Sequence, residues 1–152
     1  MEIDAFLCDH AEAAEGKLFI NGAAINILWA ASPQPPYNVN VAVAAVAQVP
    51  WTATNQAHSF SVHIEDEDNN VVRPWVPDGE PMPDEVRLQT GFNVGRPPNL
   101  PVGEAQTVPF AFGFNIPVGK LGVYAFVITV DGTEMKRLPI RLTLMQQQPI
   151  FG

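Results

Sequence analysis

Residues 50–70 read PWTATNQAHSFSVHIEDEDNN, from Pro50 to Asn70, and this stretch decides the fold class. Phe60, Val62 and Ile64 share one parity, while Ser59, Ser61, His63 and Glu65 take the other. Successive strand side chains point to opposite faces, so the pattern predicts a half-buried strand with one apolar and one wet face. The TATN segment before it reads as a turn. Glu65 to Asn70 after it reads as an acidic turn, because Asp and Asn make local backbone bonds there.

The same alternation recurs outward from this strand. Toward the C-terminus, Val86, Leu88, Thr90, Phe92 and Val94 alternate, then Val108, Phe110, Phe112, Phe114 and Ile116, then Tyr124, Phe126, Ile128 and Val130. Asp131-Gly132 is a hairpin signal, because both residues tolerate the positive φ of a tight turn. Leu138, Ile140, Leu142 and Leu144 form the last strand. Pro139 within it has no N–H to give to a ladder and so points to a sheet edge.

Toward the N-terminus, Val39 to Val49 is a strand whose Ala44-Ala45 pair leaves room for close packing or a bulge. SPQPPY, Ser32 to Tyr37, breaks the chain before it. Lys17 to Ala30 is a second apolar stretch, and its Asn21-Gly22 reads as a hairpin turn or a bulge. Ile3 to Cys8 is a first strand ending at Asp9-His10. The AEAAEG that follows is too short for a stable helix, with Gly16 as its stop. Two long proline-rich connections, Arg73 to Glu85 and Gly95 to Gln106, fit no central strand, and loops of that length are often functional.

About eight strands in sequence, with Pro and Gly turns and no long helix, predict an all-β protein: a single antiparallel β-sandwich over residues 1–144 with a tail at 145–152. A jelly roll or barrel is the alternative. Pro117-Val118-Gly119 followed by Gly122-Val123-Tyr124 resembles the penultimate-strand corner of immunoglobulin-like domains, in which a tyrosine near the strand start bonds back to the preceding turn. That resemblance covers the last third and implies a fold, not a function.

Composition narrows the function. The 152 residues are 47% hydrophobic and 16% charged, a globular balance. Sixteen acids against eight bases give a net charge of -8, which disfavours nucleic acid and anionic membrane surfaces as partners. One cysteine excludes an intrachain disulfide, and MEIDAFLCDH lacks the basic start and apolar core of a signal peptide. No run approaches the roughly 20 apolar residues of a membrane helix. The expected location is the cytoplasm.

The whole chain resembles a group of uncharacterised, mostly actinobacterial cytoplasmic proteins. The resemblance rests on D-A-F-L-C-D (Asp4 to Asp9), G-K-L-F (Gly16 to Phe19), P-W-T-x-T-N-x-x-H-x-F (Pro50 to Phe60) and the acidic turn. It implies a domain of unknown function and carries over no activity.

Four constellations could carry chemistry. Glu65, Asp66 and Asp68 offer oxygens of the kind calcium takes, about six to eight at a time, but no glycine or closing glutamate completes an EF-hand loop, and a solvated turn is the preferred reading. His58 and His63 lie on opposite faces of one strand and cannot share a metal. His58 instead suits a hydrogen bond to the TATN turn. Cys8 sits in an apolar strand without a basic neighbour and reads as an inert thiol. Tyr37, Trp75, Met82 and Phe151 are aromatics or methionine in loops and tail, residue types enriched where proteins meet partners. The plainer reading, and the one preferred for Trp75 and Met82 as such, is that they fold back to cover an open end of the sandwich. The reading is therefore a non-enzymatic binding or assembly module without cofactor or metal, meeting a protein partner or itself through its loop end, an edge strand or the tail. A coat component of a larger particle, or a ligand carrier or enzyme with a cleft under the proline-rich loops, is the alternative.

Overall fold

Alternating apolar residues build strands throughout the chain. The computed structural model describes residues 1–78 and 82–146. Among the described residues it contains β1 (Glu2–Ala14), β2 (Lys17–Ala23), β3 (Ile27–Ala30), β4 (Tyr37–Val49), β5 (Ala57–Glu65), β6 (Arg87–Asn93), β7 (Gln106–Val118), β8 (Gly122–Val130) and β9 (Thr133–Leu144), with a short 3-10 turn at Trp51–Ala53. The strands form a four-stranded sheet, β2-β1-β4-β7, and a five-stranded sheet, β3-β9-β8-β5-β6. Neighbours are antiparallel except β3, which runs parallel to β9.

The predicted inward sets meet between the sheets. Val39, Val41, Val43, Phe110, Phe114 and Ile116 face Phe60, Val62, Ile64, Phe126, Ile128 and Ile140 in one core. Phe60 stacks on Phe110 with ring centroids 4.1 Å apart, and Phe114 meets Phe126 edge-on at 5.2 Å. Each fully buried side chain of this size contributes about 1.5–3 kcal/mol, and each aromatic pair adds about 0.5–1.5 kcal/mol.

Several expectations are corrected. The first strand does not end at Asp9-His10: the AEAA segment continues it to Ala14. Ala14 pairs with Lys17, and Glu15-Gly16, with φ of 54° and 71°, is the two-residue hairpin turn. Asn21-Gly22 is neither that turn nor a register-shifting bulge. Gly22 has φ 65° within β2, and a Cβ there would lie 2.1 Å from the Asp9 carboxylate, so only glycine fits. Ala44-Ala45 holds no bulge, because β4 keeps one register with β7 from Tyr37 to Val49.

The last strand is not an edge. β9 lies between β3 and β8. β3 covers it only from Arg141 to Leu144, however, and the Arg141 N–H reaches Asn26 O. Pro139, of the same parity as Arg141, aims its missing N–H at the part of β9 that β3 leaves free. The long edge is β7, whose Pro109 and Pro117 interrupt its free side.

The odd face of β5 is also not wet. Ser61, His63 and Glu65 are buried, because β5 is flanked by β6 and β8 and long neighbouring side chains lie over it. The all-β class with two sheets is as expected, and one of the sheets curls as a half-barrel. β2 approaches β4 and β7 across the four-stranded sheet, and Ala11 and Leu18 of the first hairpin close over Cys8, Ala42 and Ala44. Those small side chains give the hairpin room to bend inward.

Candidate binding surfaces

At one end of the molecule the acidic turn serves the fold. One Asp66 carboxylate oxygen accepts the N–H groups of Asp68 (2.9 Å) and Asn70 (3.0 Å). Glu67 reaches across to accept the Val123 N–H at 2.7 Å. Gly122, with φ 140°, sits beneath that carboxylate, and a Cβ there would lie 2.6 Å from it. Glu65 belongs to the strand, where it accepts from Arg137 (3.1 Å) and holds His63 Nε2 at 2.6 Å. The proposed calcium set Glu65, Asp66 and Asp68 therefore does not converge. Among the described residues no group of three or more His, Cys, Asp or Glu side chains is placed to hold a metal ion.

Of the loop residues expected to meet partners, Tyr37 is corrected first. Its ring is 7% exposed within the core, and its hydroxyl donates to Pro33 O at 2.8 Å, closing the SPQPP bend. Tyr124 makes the same contact four residues back, donating to Lys120 O at 2.6 Å. Burial, with Asp66 and Glu67 nearby, pushes its hydroxyl up to about 12. Trp75 is half-buried: its backbone N–H donates to Pro117 O at 2.9 Å, and its ring lies so close on Gly119 that a Cβ would meet it at 2.4 Å. Beneath it is a cleft of about 440 Å³ lined by Asp66, Arg73, Trp75, Val118, Lys120 and Tyr124. Met82 is exposed. Phe151, with the rest of residues 147–152, lies outside the described residues.

His58 does bond the TATN turn, its Nε2 lying 2.7 Å from Ala53 O. Its second partner, Asp131, lies on the β8–β9 turn, 73 residues away in sequence, and had no sequence signal beyond the Asp-Gly hairpin. Cys8 is buried, and that burial, with the charge of Asp9, raises its thiol above the usual range, so it is a poor nucleophile.

Two further exposed apolar surfaces lie on the sheets. On the five-stranded sheet Trp29 is 56% exposed and, with Ile27, Arg141, Thr143, Leu144 and Met145, lines an open groove of about 650 Å³. On the four-stranded sheet Phe6 is 51% exposed, and Phe19 is similarly open. The signal for both was two-sided apolarity. In Ile27-Leu28-Trp29-Ala30 and Ala5-Phe6-Leu7-Cys8 both parities are apolar, so an apolar residue must face outward unless a second layer covers it.

Comparison with known proteins gives one finding. A Family of unknown function (DUF6941) matches residues 3–143. The chain belongs to that family. No curated protein and no solved structure matches it.

Proposed function

We propose that this DUF6941 chain is a non-enzymatic binding or assembly module that works through the groove at the β3–β9 edge. The observation that carries the reading is Trp29: a tryptophan more than half exposed, beside exposed Ile27 and Met145, on a framework of paired strands. Large aromatics on rigid elements supply contact area at low entropic cost and are frequent interface anchors. The loop end is the weaker surface, since Tyr37 is buried and the Trp75 ring rests on Gly119.

The module reading extends to the type of fold and the setting. An immunoglobulin-like arrangement is supported by the crossing of β3 to run parallel to β9 and by the Tyr124–Lys120 corner. A reducing, cytoplasmic setting is supported by the single, buried cysteine.

The test is capture from host lysate by tagged wild-type protein and by Trp29→Ser, with folding checked by circular dichroism. Loss of a stoichiometric partner or of a defined assembly in Trp29→Ser supports the reading. Identical eluates from both proteins reject it.

One observation favours a second reading, a small-ligand carrier. The cleft under Trp75 is within the roughly 300–1,000 Å³ of ligand sites and combines an indole with Arg73, Lys120 and Asp66. A metabolite screen by thermal shift, repeated on Trp75→Ala, separates the two readings.

A further inference from the structure

Each sheet ends in two edge strands. Among the described residues the longest edge is β7, with 13 residues against 7 in β2, 4 in β3 and 7 in β6. β2 carries Lys17 and β6 carries Arg87, but β7 carries no charged residue in a chain of net charge -8. Charge is a common guard against edge-to-edge pairing, and β7 has only Pro109 and Pro117 in its place.

Those prolines report which way the β7 backbone points. Neither has an N–H to give to β4, and the Pro117 carbonyl accepts the Trp75 N–H from outside the sheet. β7 keeps one register with β4 from Tyr37–Val118 to Val49–Gln106, so the alternation is unbroken. Ala111, Gly113 and Asn115 share the parity of the prolines and therefore turn their N–H and C=O groups away from β4. Among the described residues no strand pairs with that side. Gly113 and Asn115 are exposed, and a Cβ on Gly113 would meet nothing within 4 Å.

The free stretch is also symmetric. Gly113 stands midway between Pro109 and Pro117, with Ala111 and Asn115 at equal distances on either side. From this symmetry we infer that two copies of the chain pair antiparallel through β7, about a two-fold axis at Gly113. Gly113 then faces Gly113 of the second copy, and Ala111 faces Asn115 on both sides of the axis. Each of these pairs exchanges two backbone hydrogen bonds, about six in all. Pro109 falls opposite Pro117 at both ends, so the ladder stops where neither strand has an N–H to give. On the core side the same register sets Phe112, partly exposed beside Phe60, opposite Phe114 of the second copy. Aromatic cross-strand pairs of this kind stabilise antiparallel sheets.

A second copy suits this edge because reversing β7 on itself matches its prolines and opposes no like charges. The contact is isologous and uses up both free edges, joining two four-stranded sheets into one. The product is a closed dimer. The Trp29 groove belongs to the other sheet, so the dimer goes beyond the groove reading and does not depend on it.

The test is sedimentation equilibrium of the full chain over a range of concentrations. Mass is expected to rise from that of one chain to that of two and to stop there. Gly113→Lys and Gly113→Glu each set like charges face to face, and each alone should lose the dimer. Mixed, they should form a one-to-one heterodimer, because position 113 faces itself. Trp29→Ser should leave the dimer intact. Hydrogen exchange of the wild type needs no variant: the amides of Ala111, Gly113 and Asn115 should slow as concentration rises, while those of Phe112 and Phe114, bonded to β4, should be protected at every concentration.

A wild-type chain that stays monomeric at every concentration overturns the inference. So does a dimer that both Gly113 variants retain, and so do folded variants that stay apart when mixed. If a Gly113 variant fails to fold, exchange decides alone: three amides that exchange equally fast in monomer and dimer put the contact elsewhere and overturn the inference.

Discussion

His58 Nδ1 lies 2.7 Å from Asp131 Oδ2 while its Nε2 lies 2.7 Å from Ala53 O, so both ring nitrogens face acceptors. A neutral imidazole can donate to only one of them, whereas the imidazolium satisfies both. The Ala53 carbonyl and then Asp131 raise the His58 pKa, and the His58 and Ser59 contacts lower that of Asp131. The clasp joins the Trp51–Ala53 turn to the β8–β9 hairpin across β5, with the Phe92 ring 5.2 Å from the imidazole.

The raised His58 pKa has a definite consequence for stability. A raised folded pKa contributes stability that is fully present below the unfolded value, about 6.5, and is lost as pH rises through the folded value. The lowered Asp131 contributes above its unfolded value, about 3.9, and its share is lost as pH falls through the folded one. Thermal stability should therefore decline on the alkaline side of the His58 titration. His58→Gln should flatten that decline and cost about 1–3 kcal/mol at mildly acidic pH, read from denaturant unfolding at several pH values. An unchanged pH profile in His58→Gln would assign the decline to other groups.

Gly122 combines φ 140° with the Glu67 carboxylate lying where a Cβ would stand. Gly122→Ala is expected to destabilise the fold by about 1–3 kcal/mol through backbone strain and displacement of Glu67. Adding Glu67→Ala should relieve the steric part and leave the backbone part. Equal losses in the single and double variants would show that the carboxylate contributes nothing. Urea midpoints for the wild type and the two variants decide it.

Glu65, His63 and Arg137 form a network on the outer face of the five-stranded sheet, and Arg137 also holds Glu134 at 2.8 Å. Burial works to raise the Glu65 pKa, but the hydrogen bonds from His63 and Arg137 prevail and leave it low. Pairing sets His63, Val127 and Arg137 in a row, so the Arg137 stem crosses Val127 to reach Glu65. Arg137→Met should cost about 1–3 kcal/mol by stranding a largely buried carboxylate. Glu65→Gln made on that background should cost less than it does alone, with a coupling of about 0.5–3 kcal/mol in a double-mutant cycle. Additive losses would mean that the pair does not interact.

Cys8 is buried, and its Sγ lies 3.5 Å from Ala42 O. A thiol reagent should leave it unmodified in the native protein and label it fully on denaturation, with native labelling following the rate of opening. Rapid native labelling would show that the Ala11–Leu18 cover opens readily.

Local pattern was enough for much of the molecule. The period of two in β5, β7 and β8 named the core residues Phe60, Val62, Ile64, Phe110, Phe114, Tyr124, Phe126 and Ile128. Turn chemistry placed the Asp131-Gly132 hairpin, where φ is 50° and 81°. The His58 bond to the TATN turn was legible because its partner is five residues away. The candidate surface was not legible. Tyr37 looked like a loop residue because prolines precede it, yet β4 begins at Tyr37 and draws its ring inward.

By itself the sequence determined where strands and turns lie, because side-chain alternation and positive φ are properties of a few neighbouring residues. Only the tertiary structure decided which strands are neighbours. It took β3 away from β2 to run beside β9, brought Arg137 to Glu65 across 72 residues, and curled the first hairpin over Cys8. It also chose which apolar parity of β1 and β3 faces out, leaving Phe6 and Trp29 at the surface. A strand that is apolar on both sides satisfies its local pattern in either orientation, so burial summed over distant partners settles the choice.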